Sequence, residues 1–184
     1  MAIYTEKFLN DTQSLNTSIS YIVTIGEHDS FGLPIEGSSL CFGSIEKSLD
    51  LLPTSEKSLI IHPLVSSNIN ISKTLNMDNH SYVVSKVSLK LANSKIDANK
   101  KYTILSDILS NHFPNSSNLK NNSVLNSFTK IWVMTGSCKS ISDCIPVFTG
   151  IIRDIKYDKS NVTLSIEDWI SKQLETECPI GRMP

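Results

Sequence analysis

Residues 145–168 read IPVFTGIIRDIKYDKSNVTLSIED. Apolar residues occupy both parities of 145–157, which predicts a strand that is covered on two sides near its start. After a polar turn, Val162, Leu164 and Ile166 alternate with polar residues, as is typical of a half-buried strand. Two such strands joined by a short polar turn predict a β-hairpin.

Gly150 lies inside the first of these strands. A missing side chain at such a position marks a bulge, a sharp bend or the close approach of another backbone. Bends of this kind let a sheet curl. We therefore expect a mainly β fold, either a β-barrel or a sandwich-like module, with one or two short helices.

The same alternation appears elsewhere in the chain. It predicts a long half-buried strand over 81–93, with Val83, Val87, Leu89 and Leu91 on one face and Lys86, Ser88 and Lys90 on the other. Shorter strands are predicted at 20–26, 59–63, 69–75 and 130–135.

Helical signals are fewer. The apolar stripe of Ile104, Leu105, Ile108 and Leu109 predicts a helix over 101–112. A second helix is expected to begin with Asp168 as its cap and to end before Pro179.

No repeat or linker divides the chain, so residues 1–184 are expected to form a single β-rich structural domain. We expect an N-terminal extension over 1–18. The polar stretch over 114–124 predicts an exposed loop.

The overall charge points to no charged partner. The formal net charge is −1, and charged residues make up 19% of the chain. No sequence-wide field therefore favours nucleic acid binding. No apolar run approaches the roughly 20 residues that a membrane helix needs.

Catalytic and metal-binding patterns are weak. The four histidines, His28, His62, His80 and His112, are far apart and form no HxH or HExxH motif. The scattered glycines form no phosphate-binding loop. We expect no cofactor, no metal and no enzymatic activity.

Glu167 and Asp168 form an acidic pair at a strand end, where a general acid or base could sit. The structural interpretation has Glu167 facing solvent and Asp168 capping the following helix, and it is favoured because it requires no substrate.

Two cysteines are close in sequence. Five residues separate Cys138 from Cys144, a spacing that fits neither a CxxC redox pair nor a zinc knuckle. A disulfide closing a hairpin loop is conceivable, but without an export signal the reduced, buried state is favoured. Cys41 and Cys178 are expected to be ordinary thiols.

The pattern around Phe148 and Gly150 resembles the hub and baseplate-type tail proteins of tailed bacteriophages. The resemblance lies in the "F-x-G-x-I" strand, in a second strand ending in Glu-Asp and in the paired strands predicted upstream, and it covers about 68–184. It implies a barrel-like module that assembles without a cofactor as a symmetric ring at the tail tip or around the tail axis. Such hub proteins usually continue past the proline segment, so the chain is expected to be a shortened member, a different ring protein or a fragment.

The partners implied are further copies of the chain and neighbouring tail-tube, tail-tip or fibre proteins. The location implied is the virion tail, after assembly in the host cytoplasm. In this arginine-poor chain, Arg153 and Arg182 are candidates for bidentate contacts at an interface. With them, the structural or interface candidates are Phe148, Gly150 and Asp168.

Two other functions stay open. A surface- or carbohydrate-binding β module is the first, although the chain has only Trp132 and Trp169 to offer as platforms for sugars. The second is a hydrolase whose site, built around residues such as Glu167 or His80, is assembled by the fold.

Overall fold

A computed structural model describes residues 6–13, 18–45, 47–50, 58–67, 69–71, 74–76, 81–83, 85–98, 101–111 and 124–169. The chain is mainly β and antiparallel, with two short α-helices, as predicted. In chain order the elements are α1 (Glu6–Thr12), β1 (Ile19–His28), β2 (Pro34–Gly43), β3 (Lys47–Asp50), β4 (Ser58–Ile61), β5 (Thr74–Asn76), β6 (Ser81–Val83), β7 (Lys86–Ala92), β8 (Lys95–Ala98), β9 (Lys101–Ile104), α2 (Leu105–Asn111), β10 (Phe128–Thr135), a 3-10 helix (Ile141–Asp143), β11 (Ile145–Tyr157) and β12 (Asn161–Asp168).

Six strands form the main sheet, in the order β2-β1-β10-β11-β12-β7. The predicted hairpin is part of this sheet: β11 pairs with β12 from Gly150↔Asp168 to Tyr157↔Val162. β7 then adds to β12, and β10 joins β11 to β1. The predicted strands at 20–26, 59–63 and 130–135 correspond to β1, β4 and β10.

The segment 62–66 extends one edge of this sheet. Beside β2, Gly43 N–H donates to the His62 carbonyl (2.9 Å) and His62 N–H donates to the Cys41 carbonyl (3.0 Å). Val65 N–H donates to the Gly43 carbonyl (3.0 Å). These bonds satisfy backbone groups that an edge strand would otherwise leave open.

The same segment also reaches the opposite edge. Ser66 N–H donates to the Lys90 carbonyl (3.0 Å), and Ala92 N–H donates to the Leu64 carbonyl (2.7 Å), both on β7. Within the described residues the six strands do not form a closed barrel, because β2 and β7 do not pair with each other. Instead, 62–66 lies between them and brings the two edges within about 10 Å, or two strand spacings.

The main core lies inside the curled sheet. Its buried side chains come from all six strands, from 62–66, from Ile69 and Ile96 and from α2. The buried members on β7, β12 and α2 are Val87, Leu89, Leu91, Val162, Leu164, Ile166, Leu105, Ile108 and Leu109. The polar residues Lys86, Ser88 and Lys90 are exposed, so the predicted alternation is confirmed there.

A second core covers the outer face of β2, β1 and β10. The hairpin β3–β4 and the loop 138–144 pack there. The buried members are Ile22, Cys41, Leu49, Leu59, Ile61, Trp132, Met134, Cys138, Ile141 and Cys144. This extra layer explains why residues 22–26 of β1 are buried on both faces.

Gly150 is a point of close approach. A Cβ built on it would fall against the Glu167 carbonyl oxygen and lie 2.7 Å from both Ile166 Cγ2 and Phe148 Cε1. The register shifts of β11 lie elsewhere, opposite Ile131/Trp132 and between Ile152 and Asp154. Of the three roles predicted for Gly150, close backbone packing is the one found.

Three local predictions need correction. The predicted strand over 81–93 is two strands, because β6 pairs with β5 while β7 pairs with β12. In 69–75, Ile69–Ile71 is not a strand, and β5 begins only at Thr74. The predicted helix over 101–112 begins at Leu105, because 101–104 pairs with β8 as β9.

Other predictions lie partly outside the described residues. Of the loop predicted at 114–124, Val124 is described, and it is fully buried. Asp168 ends β12 and Trp169 is helical, as predicted, while the rest of the predicted helix lies outside the described residues. Helix α1 falls within the predicted extension 1–18, and its Phe8 is buried.

The packing at Gly150 predicts a large cost for Gly150→Ala. Because the added methyl would overlap backbone and core atoms, we expect the free energy of unfolding to fall by about 2–3 kcal/mol. Gly136→Ala is the matched control: its Cβ would meet only Ser18 Oγ, at 3.7 Å. Urea unfolding should show a change within about 0.5 kcal/mol for this control. Equal midpoints for the two variants would contradict the assignment.

Candidate assembly surface

The residues predicted for an interface fall into two groups. Phe148, Gly150 and Asp168 are buried within the chain. They shape the sheet from inside. Arg153 is partly exposed on the outer face, and Arg182 lies outside the described residues.

Arg153 belongs to an ion-pair cluster on β11, β12 and β7. Its Nε lies 3.1 Å from Glu167 Oε2, and Lys86 Nζ lies 2.9 Å from Glu167 Oε1. Lys86 and Glu167 are directly paired in the strand register. The hydrogen bond from Lys86 lowers the pKa of Glu167, and Arg153 lowers it further. A carboxyl group held ionised in this way is a poor general acid.

The face around this cluster is polar. Ser88 and Lys90 on β7 are exposed, and Thr163 and Ser165 on β12 are partly exposed. Small hydroxyl groups and lysines on a sheet face discourage uncontrolled association through it. This surface is therefore suited to solvent, or to contacts that use charge.

A contrasting apolar feature stands at the β1–β2 turn. Phe31 is 88% exposed at its tip. Asp29 fixes the turn, because its Oδ1 accepts hydrogen bonds from Phe31 N (2.9 Å) and Leu33 N (2.8 Å). Lys130 Nζ donates to the Gly32 carbonyl (2.8 Å), which ties the turn to β10. The protein thus presents an aromatic ring to solvent on an ordered turn.

The sequence carries a signal for this feature, although Phe31 was not among the predicted interface residues. An aromatic residue inside the turn sequence Asp-Ser-Phe-Gly (29–32) has no neighbouring strand to bury it. An exposed aromatic residue on a loop is typical of a binding contact.

A network of polar groups stands behind the turn, on the outer face of β1 and β10. Trp132 Nε1 donates to Thr24 Oγ1 (3.0 Å), and that oxygen lies 3.0 Å from His28 Nε2. Burial, with the nearby charge of Lys130, lowers the pKa of His28 to about 4. His28 is therefore neutral near pH 7 and supports the turn. The hydrogen bond between His28 and Thr24 gives His28 a structural role.

An open apolar recess lies near the start of β1. Its volume is about 430 Å³, and it is lined by Tyr21, Ile69, Asn70, Ile71, Val133 and Val147. Tyr21 and Phe31 stand near opposite ends of β1, separated by more than about 20 Å at 3.3 Å per residue. The protein therefore has an apolar projection, Phe31, near one end of β1 and an apolar recess near the other end of β1.

The described ranges contain no group of three or more His, Cys, Asp or Glu side chains arranged to hold a metal ion. His80, which was named for the hydrolase alternative, and His112 are not among the described residues. No described helix has the length and apolar character needed to cross a membrane.

Comparison with known proteins gives a likeness of fold. No family model matches the chain, and no curated protein matches its sequence. A chain in the solved structure of the virion of a native gene transfer agent (GTA) particle superposes with a TM-score of 0.56 and 11% sequence identity. The likeness covers 94% of this chain and 47% of that one, so the protein spans about half the length of the chain it matches. At this identity the likeness shows a shared fold.

The ion-pair cluster predicts a pH-dependent contribution to stability. Because the pKa of Glu167 in the folded chain lies below its ordinary value of 4.5, its stabilisation is complete above that value and is lost as pH falls through the folded pKa. Near pH 6, we expect Glu167→Gln to lower the free energy of unfolding by about 0.5–1 kcal/mol. Urea unfolding at a series of pH values should show the two proteins converging as pH falls below 4.5. A difference that stays constant with pH would refute this assignment.

Proposed function

We propose that the protein is a structural subunit of a bacteriophage-type virion, and more specifically a hub, baseplate or tail-tip ring component of the tail. The observation that carries the proposal is the fold shared with a chain of a gene transfer agent virion over 94% of the present chain. The resemblance of the Phe148–Gly150 hairpin to tail hub proteins points in the same direction. On this proposal the protein acts through contacts with its own copies and with neighbouring virion proteins.

The roles of the described residues support a mechanical function. Phe148 and Gly150 serve the packing of the sheet, and Glu167 is engaged by Arg153 and Lys86. The polar outer face of β7 and β12 keeps the subunit soluble before assembly. Contacts between subunits are then left to a few local apolar features.

We propose that the Phe31 turn and the recess lined by Tyr21, Val133 and Val147 meet between neighbouring copies. Because they stand near opposite ends of β1, the contact would be heterologous, with a different patch used on each side. Heterologous contacts generate a ring when the rotation between copies closes. A ring would place many identical weak contacts around the tail axis and match its symmetry.

The other functions gain no support from the described residues. Trp132 is buried, and Trp169 packs on Phe128 with ring centroids 4.2 Å apart, so neither offers an open platform for a sugar. Glu167 is ion-paired on an open face. A hydrolase site would need residues outside the described part, such as His80.

Native mass spectrometry and electron microscopy of the purified protein test the ring. We expect a discrete closed oligomer and ring-shaped particles. In parallel, proteomic analysis and antibody labelling of virions from a host that produces them should locate the protein in the tail. A protein that stays monomeric at high concentration and is absent from virions would refute the proposal.

Phe31→Ser tests the contact between copies. Because Phe31 is 88% exposed, the unfolding free energy should change by less than about 0.5 kcal/mol. Loss of a central aromatic contact should still weaken association at least tenfold, as measured by sedimentation. Ile60→Ser, at a side chain 61% exposed on β4, is the matched control and should leave association unchanged. Equal association of both variants and the parent would exclude Phe31 as the contact.

A further inference from the structure

Two thiols meet in the loop that joins β10 to β11. Cys138 and Cys144 flank the 3-10 helix Ile141–Asp143 and are almost fully buried, with exposures of 1% and 5%. Both side chains lie in the same buried apolar cluster, and each is the largest influence on the pKa of the other. The chain between them is short, so joining the two sulfurs would close a small loop.

Each sulfur has further polar partners. Cys138 Sγ lies 3.3 Å from Thr135 Oγ1 and 3.6 Å from the Asp143 carbonyl oxygen. Cys144 Sγ lies 3.6 Å from the Ser140 carbonyl oxygen. Hydrogen bonds hold the two thiols in fixed places, although the surrounding core is apolar.

The two thiols differ in pKa because their surroundings differ. Hydrogen bonds from Cys144 and Thr135 stabilise the thiolate of Cys138 and lower its pKa to about 6. The pKa of Cys144 is raised by the same pairing and by burial. Cys41, in the same core, has its pKa raised to about 12 by burial alone. Of the three described cysteines, Cys138 is therefore the one that loses its proton most readily.

We propose that Cys138 and Cys144 form a reversible disulfide site that reacts with low-molecular-weight disulfides of the glutathione class. The Cys138 thiolate attacks one sulfur of the oxidant, forms a mixed disulfide and releases one thiolate. Cys144 then loses its proton and attacks the Cys138 sulfur, which breaks the mixed disulfide and releases a second thiol. Two cysteine thiols are oxidised and one small disulfide is reduced to two thiols.

Burial makes the opening of the loop the step that controls access. The loop is held by Asp11 Oδ2, which accepts from Ser137 N (3.1 Å) and from the Ser137 hydroxyl, and by Lys47 Nζ, which donates to the Cys138 carbonyl (2.8 Å). Ser137 and Lys139 are exposed, so the oxidant approaches from that side. Weakening these hydrogen bonds should speed oxidation of the two cysteines. We expect the cysteines of Asp11→Asn to be oxidised several-fold faster than those of the parent protein.

The experiment uses the full chain with Cys178→Ser, so that three thiols remain. Reduced protein is incubated at pH 7 with oxidised glutathione, quenched in acid, denatured and alkylated with N-ethylmaleimide. We expect one alkylated thiol, at Cys41, and full alkylation again after dithiothreitol. Trypsin cleaves after Lys139, so Cys138 and Cys144 fall on the peptides 131–139 and 140–153, which only a disulfide can hold together.

Single variants separate the two steps. Cys144→Ser should stop at a mixed disulfide with glutathione on Cys138, and Cys138→Ser should stay unmodified. Cys41→Ser is the matched control and should oxidise at the parental rate, with circular dichroism verifying that each variant folds. Three alkylated thiols after prolonged incubation, a glutathione adduct that persists in the parent, or a disulfide to Cys41 would each overturn the proposal.

Discussion

The fold depends on a backbone constraint at the segment 62–66. Three hydrogen bonds hold this segment to β2, and two more join it to β7. Without it, the six-stranded sheet would have two open edges and no reason to curl as far as it does. Because the segment engages both edges, the apolar faces of the strands turn inward on one another, and the largest core forms between them.

The second layer follows from that curl. When one face of β2, β1 and β10 lines the main core, the apolar side chains on the opposite face of these strands must be buried by other segments. The hairpin β3–β4 and the loop 138–144 supply it. This arrangement brings Cys138 and Cys144 together in an apolar site. Among the described residues, the outer face of the sheet is therefore shielded at β2, β1 and β10, and polar and solvated at β7 and β12.

The solvent-exposed surface suits a subunit with a structural role in an assembly. Within the described residues, Lys86 and Arg153 engage Glu167 in ion pairs, and His28 is kept neutral by burial. Among the large apolar side chains that remain exposed, Phe31 is the most exposed. A phage-type virion component is the proposal that uses these features together, because assembly needs specific contacts more than it needs a reactive centre.

The sequence by itself determined the elements whose evidence is local. Alternation with a period of two predicted β12 and the burial of Val87, Leu89 and Leu91, because side chains alternate across any half-buried strand. Apolar residues on both parities predicted β11, and bounding turn residues predicted β1, β4 and β10. Gly150 could be singled out as well, although not which of three reasons required it. Only the tertiary structure decided what depends on distant partners. β2, β3, β8 and β9 were not predicted, the strand over 81–93 proved to be two because its halves pair with different neighbours, and Phe148 and Asp168 proved to be buried. The closure by 62–66 and the meeting of two thiols in an apolar layer have no local signature, since backbone hydrogen bonds and burial are set by whichever chain segment the fold brings alongside.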